Sequence, residues 1–298
     1  MSRFFYYANF WAKYLTRTFD DLTPSESYIK KNAIDIDYYC KINNPFRLDV
    51  KNYFKDINLT KNSGYSYDIY NILYPYRRNI AFNFLPGDIT SVPDVPSFVK
   101  SRPINGNNEN SVLLPLDSFR HLKFVDDKLN FRSKQNKIVW RGAAYQEHRL
   151  RFLENCGEFP FIDVGNTASS DKTYIPFSKP KMSIKEQLNF KFIVSLEGND
   201  VATNLKWIMS SNSVCIMPKP KFETWFKEGT LLPNIHYIEI KDDYSNLEEV
   251  FQKYSNRIED CEAIIRNANK FANGFKDKLN NLTLARTVAL KYKGLLEM

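Results

Sequence analysis

The feature that most constrains this chain is an alternation that begins near residue 135. From there, short apolar runs alternate with stretches of helical periodicity, and the loops between them are polar. That pattern signals βαβ units and a parallel sheet, so the fold class is α/β. Strands are expected at 137–140, 159–164, 190–196, 213–217 and 237–240. Helices are expected at 146–155, 183–188, 202–211, 247–254 and 258–273, with a long final helix at 277–295. The residues before 135 are irregular and rich in Asn, Asp, Pro and Tyr.

The 298 residues suit one large domain or two modest ones, and a hydrophobic fraction of 43% with 26% charged residues excludes wholesale disorder. The formal net charge of +8 attracts anions, but no run of five basic residues forms a tail. Cys40, Cys156, Cys215 and Cys261 include no C-x-x-C pair, which argues against a thiolate metal site or a disulfide framework and fits a reducing cytoplasm. No apolar stretch approaches the ~20 residues of a membrane span. The aromatic segment Met1–Thr16 lacks the pattern of a signal peptide, yet suits peripheral contact with an inner-membrane surface.

In an open α/β sheet, ligands bind beyond the carboxyl ends of the strands. Here those ends carry Arg141-Gly142-Ala143-Ala144, Glu197-Gly198-Asn199-Asp200 and Met217-Pro218. Such loops, running into helix N-termini, offer N–H groups and positive dipole to phosphate. Neither a P-loop nor a G-x-G-x-x-G fingerprint is present.

Three ordered blocks carry a resemblance. They are FNFLPGDITSVPDVPSFVKSRPI at 82–104, VWRGAAYQEHRLRFL at 139–153, and 190–240 with its G-loop, E-x-W-F and P-x-x-H-Y elements. The sequence resembles the family 90 glycosyltransferases, most closely bacterial lipopolysaccharide-type members, which are related to protein O-glucosyltransferases and fungal capsule xylosyltransferases. The resemblance implies a GT-B-like fold, two Rossmann-like domains facing across a cleft. Residues 1–135 would be the acceptor side, 136–276 the donor domain, and 277–298 a helix crossing back to the first domain. It implies inverting transfer of glucose, galactose or xylose from a UDP-sugar to a hydroxyl of a surface glycan or lipid-linked glycan. No metal or other cofactor is expected beyond the UDP-sugar co-substrate.

Asp88 matches the family's catalytic aspartate; a turn aspartate after Gly87 is the plainer reading. Arg149 matches the diphosphate-binding arginine. Arg141 has two readings, a phosphate contact or a salt bridge anchoring its loop. With them, Gly142, Ala143, Asn199, Asp200, Val201, Ala202, Thr203, Asn204, Lys206 and Glu223 form the expected donor set. Ala143 stands where animal members carry serine and Asn204 where they carry arginine, so Lys206 is the expected substitute charge. Arg102, Asn110 and Ser111 are the acceptor candidates, with Asn110-Ser111 and Arg120-His121 flanking the expected acceptor loop. Trp225 and Phe226 suit either a sugar pocket or packing, and His236 a satisfied core position. Asp35-Ile36-Asp37 formally matches a metal-binding D-x-D but lacks the preceding buried strand. The competing classes are a nucleic-acid binder, which would want a clustered basic stripe the sequence lacks, and a sugar-binding module without catalysis.

Overall fold

The computed structural model describes residues 3–20, 23–61, 63–168 and 177–297. In chain order its first elements are α1 Arg3–Thr16, α2 Glu26–Lys31, α3 Ala33–Tyr39, β1 Asn52–Tyr53, α4 Ser63–Leu73, β2 Ala81–Phe82, β3 Ser97–Val99, β4 Ser101–Pro103, β5 Ser111–Leu113 and α5 Ser118–His121. Then come β6 Gln135–Gly142, α6 Glu147–Cys156, β7 Ile162–Asn166, α7 Ile184–Gln187, β8 Phe190–Val194, α8 Leu205–Met209, β9 Val214–Met217, β10 Phe222–Thr224, β11 Ile238–Glu239, α9 Leu247–Ser255, α10 Ile258–Asn273 and α11 Lys278–Leu295.

The chain divides into two compact units. One holds residues 1–123, 221–227 and 277–298, and the other 124–220 and 228–276. The second unit is built on a five-stranded parallel sheet of order β11-β9-β8-β6-β7. Its strands are short, and β8 and β9 are wholly buried, as Phe-Lys-Phe-Ile-Val in β8 illustrates. Apolar side chains on both faces are what a parallel sheet covered on both sides requires. Ile138, Trp140, Phe192, Val194, Val214 and Ile216 join Phe152, Phe251 and Ile264 of the helices in one core. Helix starts follow from local chemistry: Ser183 and Glu186 make a reciprocal capping box before α7.

Two expected elements are displaced, each for a visible reason. β7 begins at Ile162 rather than 159, because residues 159–161 turn to stack Phe161 on Phe251 at 4.2 Å. α8 starts at Leu205 rather than 202, because Asn204 binds backward instead of continuing the helix. Its amide donates to Val194 O at 3.0 Å, and its oxygen accepts from Ser195 Oγ at 3.0 Å.

The first unit is helical with small strand pairs. β3 pairs with β5 in parallel, β1 with β2 antiparallel, and β10 returns to pair antiparallel with β4. α11 belongs to this unit. Tyr292 donates to Pro96 O at 2.8 Å, and Arg286 donates to the carbonyls of Asp20 at 2.7 Å and Asn71 at 3.3 Å. Whereas 135/136 and 276/277 were the expected divisions, the first compact stretch ends at Lys123, and 221–227 join the first unit through β10. Sequence periodicity carries no trace of that excursion, because pairing with β4 is made by residues over a hundred positions away.

Candidate active site

The sheet order places a topological switch point in the second unit. From β6 the chain goes to β7 on one side and then to β8 on the other, so the loops leaving β6 and β8 turn apart. Ligand crevices in open α/β sheets form at such points. Gly142 ends β6 where the Trp140 ring leaves no room for a side chain: a Cβ there would lie 2.5 Å from the indole.

Arg149, on α6, ties these two loops together. Its Nη1 donates to Ala143 O at 2.9 Å, Nη2 to Leu196 O at 2.9 Å and Nε to Glu197 O at 2.8 Å. All three acceptors are neutral carbonyls, so the guanidinium orders both loops while its charge is left without a carboxylate among these contacts. Burial lowers its pKa from the usual arginine value, as expected for a cation partly removed from water. Gln146 adds a second tie, donating to Asn199 Oδ1 at 2.9 Å. Asn166, at the end of β7, accepts from the Ala144 N–H at 3.0 Å and fixes the third side of the turn.

The rest of the donor set divides sharply. Asn199 and Thr203 are exposed, while Asp200, Val201 and Ala202 are buried beneath them. Arg141 follows its anchoring reading: its guanidinium bonds Asp163 Oδ1 at 2.8 Å and the carbonyls of Asp163, Trp140 and Pro180. Burial works against the Asp163 charge, but hydrogen bonds from Lys179 and Arg141 outweigh it and hold that carboxyl below its usual range.

Lys206 is a correction. It is fully buried and ion-paired with the equally buried Glu228, so it offers no charge to a diphosphate. Glu223 is a second correction. It lies in the first unit, on β10 opposite Arg102 of β4, and is buried in an ion pair with it at 2.8 Å while accepting from the Tyr38 hydroxyl. The same pair removes Arg102 from the acceptor set. Arg102 has no exposed surface, and its remaining donors meet Ser111 O at 3.1 Å and Tyr38 O at 2.7 Å. Ser111 is buried, and the Asn110 amide clamps the carbonyls of Pro93 and Asp94 at 3.0 and 2.9 Å. Arg102 and Ser111 are thus buried away from an acceptor, while half-buried Asn110 spends its amide nitrogen on the chain.

Asp88 sits differently. Gly87 holds φ at +112°, a region open to glycine, and so turns the chain after Pro86. The Ser101 hydroxyl donates to Ile89 O at 3.0 Å and pins the loop to β4. Asp88 Oδ1 accepts from Lys100 Nζ at 2.5 Å, Arg120 Nη2 at 3.1 Å and Tyr65 OH at 3.4 Å. Lys100 is 1% exposed, whereas the Asp88 side chain keeps 26% of its surface. His121 Nε2 lies 3.0 Å from Arg120 Nε and 3.5 Å from Lys100 Nζ, which assigns it as an acceptor and the ring as neutral. Asp117 also pairs with Arg120, at 2.9 Å, and burial pushes its carboxyl above the ordinary range.

Lys100, Tyr65 and Asp117 went unassigned from sequence, and Arg120 with His121 was placed only as a flank of an acceptor loop. The one signal was Lys100-Ser101-Arg102 interrupting an otherwise buried strand stretch, since buried cations demand partners. Asp35 and Asp37 lie on α3, where Lys227 and Lys291 respectively pair with them at 2.5 and 2.8 Å. Trp225 packs: its ring stacks on Tyr39 at 3.8 Å, and Nε1 donates to Asn281 at 3.1 Å. His236 Nδ1 accepts from the Leu232 N–H at 3.0 Å, a satisfied histidine. All four cysteines are buried, and burial raises their thiols above the usual pKa.

Comparison with known proteins completes the picture. Residues 115–279 match the family described as Glycosyl transferase family 90. The chain is 47% identical over 241 residues to the O-glucosyltransferase LpsA of Dichelobacter nodosus, covering 80% of this chain and 74% of the relative. It is 25% identical over 189 residues to the uncharacterized protein 179R of Invertebrate iridescent virus 6, which covers 60% of this chain but 15% of that much longer protein. The protein is a glycosyltransferase. It belongs to glycosyl transferase family 90.

Proposed function

We propose that this enzyme transfers a sugar from a UDP-sugar to a hydroxyl of a bacterial surface glycan of the lipopolysaccharide type, with inversion and without a divalent ion. The observation that carries the reading is the switch point itself, where Arg149 ties the loops after β6 and β8 and leaves a positive charge there. A diphosphate fits this chemistry, since its negative oxygens take charge-assisted hydrogen bonds from guanidinium and loop N–H groups. The name of the relative from Dichelobacter nodosus favours glucose over galactose or xylose. The lysine pairing of Asp35 and Asp37 weighs against a D-x-D metal site, which leaves Arg149 and the loop N–H groups to stabilise the leaving UDP.

Asp88 is the proposed base. As the acceptor oxygen attacks the anomeric carbon, its proton passes to the Asp88 carboxylate, the bond from that carbon to the diphosphate oxygen breaks, and UDP departs with the electron pair. Inversion follows from this single displacement. The partly exposed carboxylate, fixed by Lys100, Arg120 and the Gly87 turn, is the kind of rigid group such a step needs. Base and donor lie in different units, so a GT-B-like pairing of the two is part of the proposal, with the parallel sheet of the second unit as its Rossmann-like half and the expected Rossmann-like sheet of the first unit replaced by small strand pairs.

The test is Asp88→Asn, assayed with excess chelator present. The variant keeps size and hydrogen bonding but accepts no proton. It should fold, keep UDP affinity, and lose transfer by about 10²–10⁴. Transfer near the parent rate refutes Asp88 as base. Loss of folding or of UDP binding assigns it a structural role. Parent activity abolished by chelator and restored by Mn²⁺ refutes the metal-free mechanism.

A further inference from the structure

The first unit holds a cavity of about 150 Å³ beside the Asp88 loop. Phe82, Phe84 and Pro86 form its apolar wall, and Asn52, Asp56 and Lys61 bring polar groups to it. Local structure shapes it. β1 pairs with β2 so that Asn52 stands opposite Phe82. Asp56 Oδ2 accepts from the Tyr53 N–H at 2.8 Å, which closes the turn after β1. Asn58 Oδ1 accepts from the N–H groups of Thr60 at 2.9 Å and Lys61 at 3.1 Å, and buried Ser66 donates to Lys61 O at 2.9 Å. The rim is therefore ordered by its own hydrogen bonds before any ligand arrives.

Its remaining groups are uncommitted. Among the described residues, the Asn52 amide and the Lys61 ammonium make no side-chain hydrogen bond or ion pair, and half-buried Phe84 stacks on no other ring. Donors and acceptors stand together here: ammonium and amide nitrogen donate, amide oxygen and carboxylate accept. A hydroxyl, which does both, answers to that mixture. A phosphate, which chiefly accepts, would meet the Asp56 carboxylate. A purely apolar ligand would strip water from ammonium and carboxylate without replacing its hydrogen bonds. A pyranose combines edge hydroxyls with a face of C–H bonds, and Phe84 and Pro86 offer that face an apolar wall. The volume, below the roughly 300–1,000 Å³ of sites for drug-sized ligands, suits a single ring.

The cavity also adjoins the base. Pro86, in its wall, is separated from Asp88 by Gly87 alone, at most roughly 7 Å of chain. Ser66, also in its lining, follows Tyr65, whose hydroxyl donates to Asp88 at 3.4 Å. Asp88 is outside the described lining, so a ring in the cavity is not the ring at the base but its neighbour. We propose that this cavity is a subsite for a neutral sugar ring of the acceptor, next to the ring whose hydroxyl Asp88 deprotonates. Its place in the reaction rests on Asp88 as base, whereas its ligand class rests on the cavity itself. Acceptor recognition thereby passes from buried Arg102 and Ser111 to residues 52–66 and 82–86.

The test is saturation-transfer NMR on the full chain with the methyl glycosides of glucose, galactose and mannose. At least one should take up saturation and keep it when UDP or inorganic phosphate is added. Asn52→Leu/Lys61→Met removes no side-chain hydrogen bond or ion pair of the described fold and should leave the melting curve unchanged. It should weaken glycoside binding by about tenfold. Lys55→Met, exposed on the same turn but outside the cavity lining, should bind as the parent does. Asp88→Asn should also bind the glycoside normally, so failure of the cavity and failure of Asp88 as base are read separately. With rough lipopolysaccharide as acceptor and UDP-glucose as donor, the double variant should raise the KM for lipopolysaccharide by a similar factor and leave that for UDP-glucose unchanged. A parent that binds no glycoside, displacement by UDP or phosphate, equal saturation of cyclohexanol, or a double variant that binds like the parent overturns the sugar site. An unchanged KM for lipopolysaccharide overturns its acceptor role.

Discussion

The Lys206–Glu228 pair gives the sharpest test of how the second unit is built. Both side chains are essentially without exposed surface, and each is the ionic partner of the other. Lys206→Met removes the ammonium but keeps most of the volume, so the fault created is electrostatic: Glu228 stays buried and loses the ammonium it is paired with. Breaking one side of a buried pair costs about 3–5 kcal/mol. At about 2–4 °C per kcal/mol for chains of this size, the melting temperature should fall by roughly 6–20 °C. Replacing both partners, as Lys206→Met/Glu228→Leu, removes both charges and should recover most of the loss, because buried ion pairs exchanged for apolar groups of similar volume are often neutral or better. Thermal melts of the parent, single and double variants decide the stability claim, and UDP titration of the folded double variant decides the functional one. UDP affinity should be unchanged. A single variant that melts within about 2 °C of the parent, against a cost of several kcal/mol, refutes the buried-pair account. A double variant that is stable but has lost UDP binding returns Lys206 to the donor site.

Two further outcomes follow from the same reasoning. Arg149→Ala should weaken UDP binding by about 1.5–3 kcal/mol, the scale of one charge-assisted contact, whereas Arg151→Ala, which removes an exposed pair with Glu147, should leave the affinity as it was; equal losses in calorimetry would mean diffuse electrostatics rather than a site. Burial outweighs three hydrogen-bond donors and pushes the Asp68 carboxyl up to about 7. The folded state therefore binds this proton more tightly than the unfolded chain, and the stability it contributes is complete below the unfolded value and is lost as pH rises through about 7. Asp68→Asn should flatten the fall in melting temperature between about pH 5 and pH 8, and a variant with the parent's slope would exclude Asp68 as its source.

The parts of this protein legible in sequence are those set by local backbone physics. The alternation after residue 135 yields the five parallel strands and most of the helices between them, because strand and helix periodicity are properties of a few adjacent residues. The loops after β6 and β8 were marked by Gly142 and Gly198 and by their place at strand ends, and Arg149 by the family resemblance of its segment. What a charged residue does, in contrast, depends on which distant group burial sets against it. Arg102 and Glu223 are 121 positions apart and Lys206 and Glu228 are 22 apart. Sequence reasoning gave three of these four to the ligands, since basic and acidic residues near glycine loops look alike whether they face a phosphate or each other. Only the tertiary structure, by removing them from water in pairs, takes them out of the site. It also leaves Asp88 partly exposed among cations. The same holds for α1: its sequence is aromatic on all sides, and which side packs on Tyr67 and which meets solvent is settled by α4, more than fifty residues away, because a helix can bury only the face for which the fold supplies a partner.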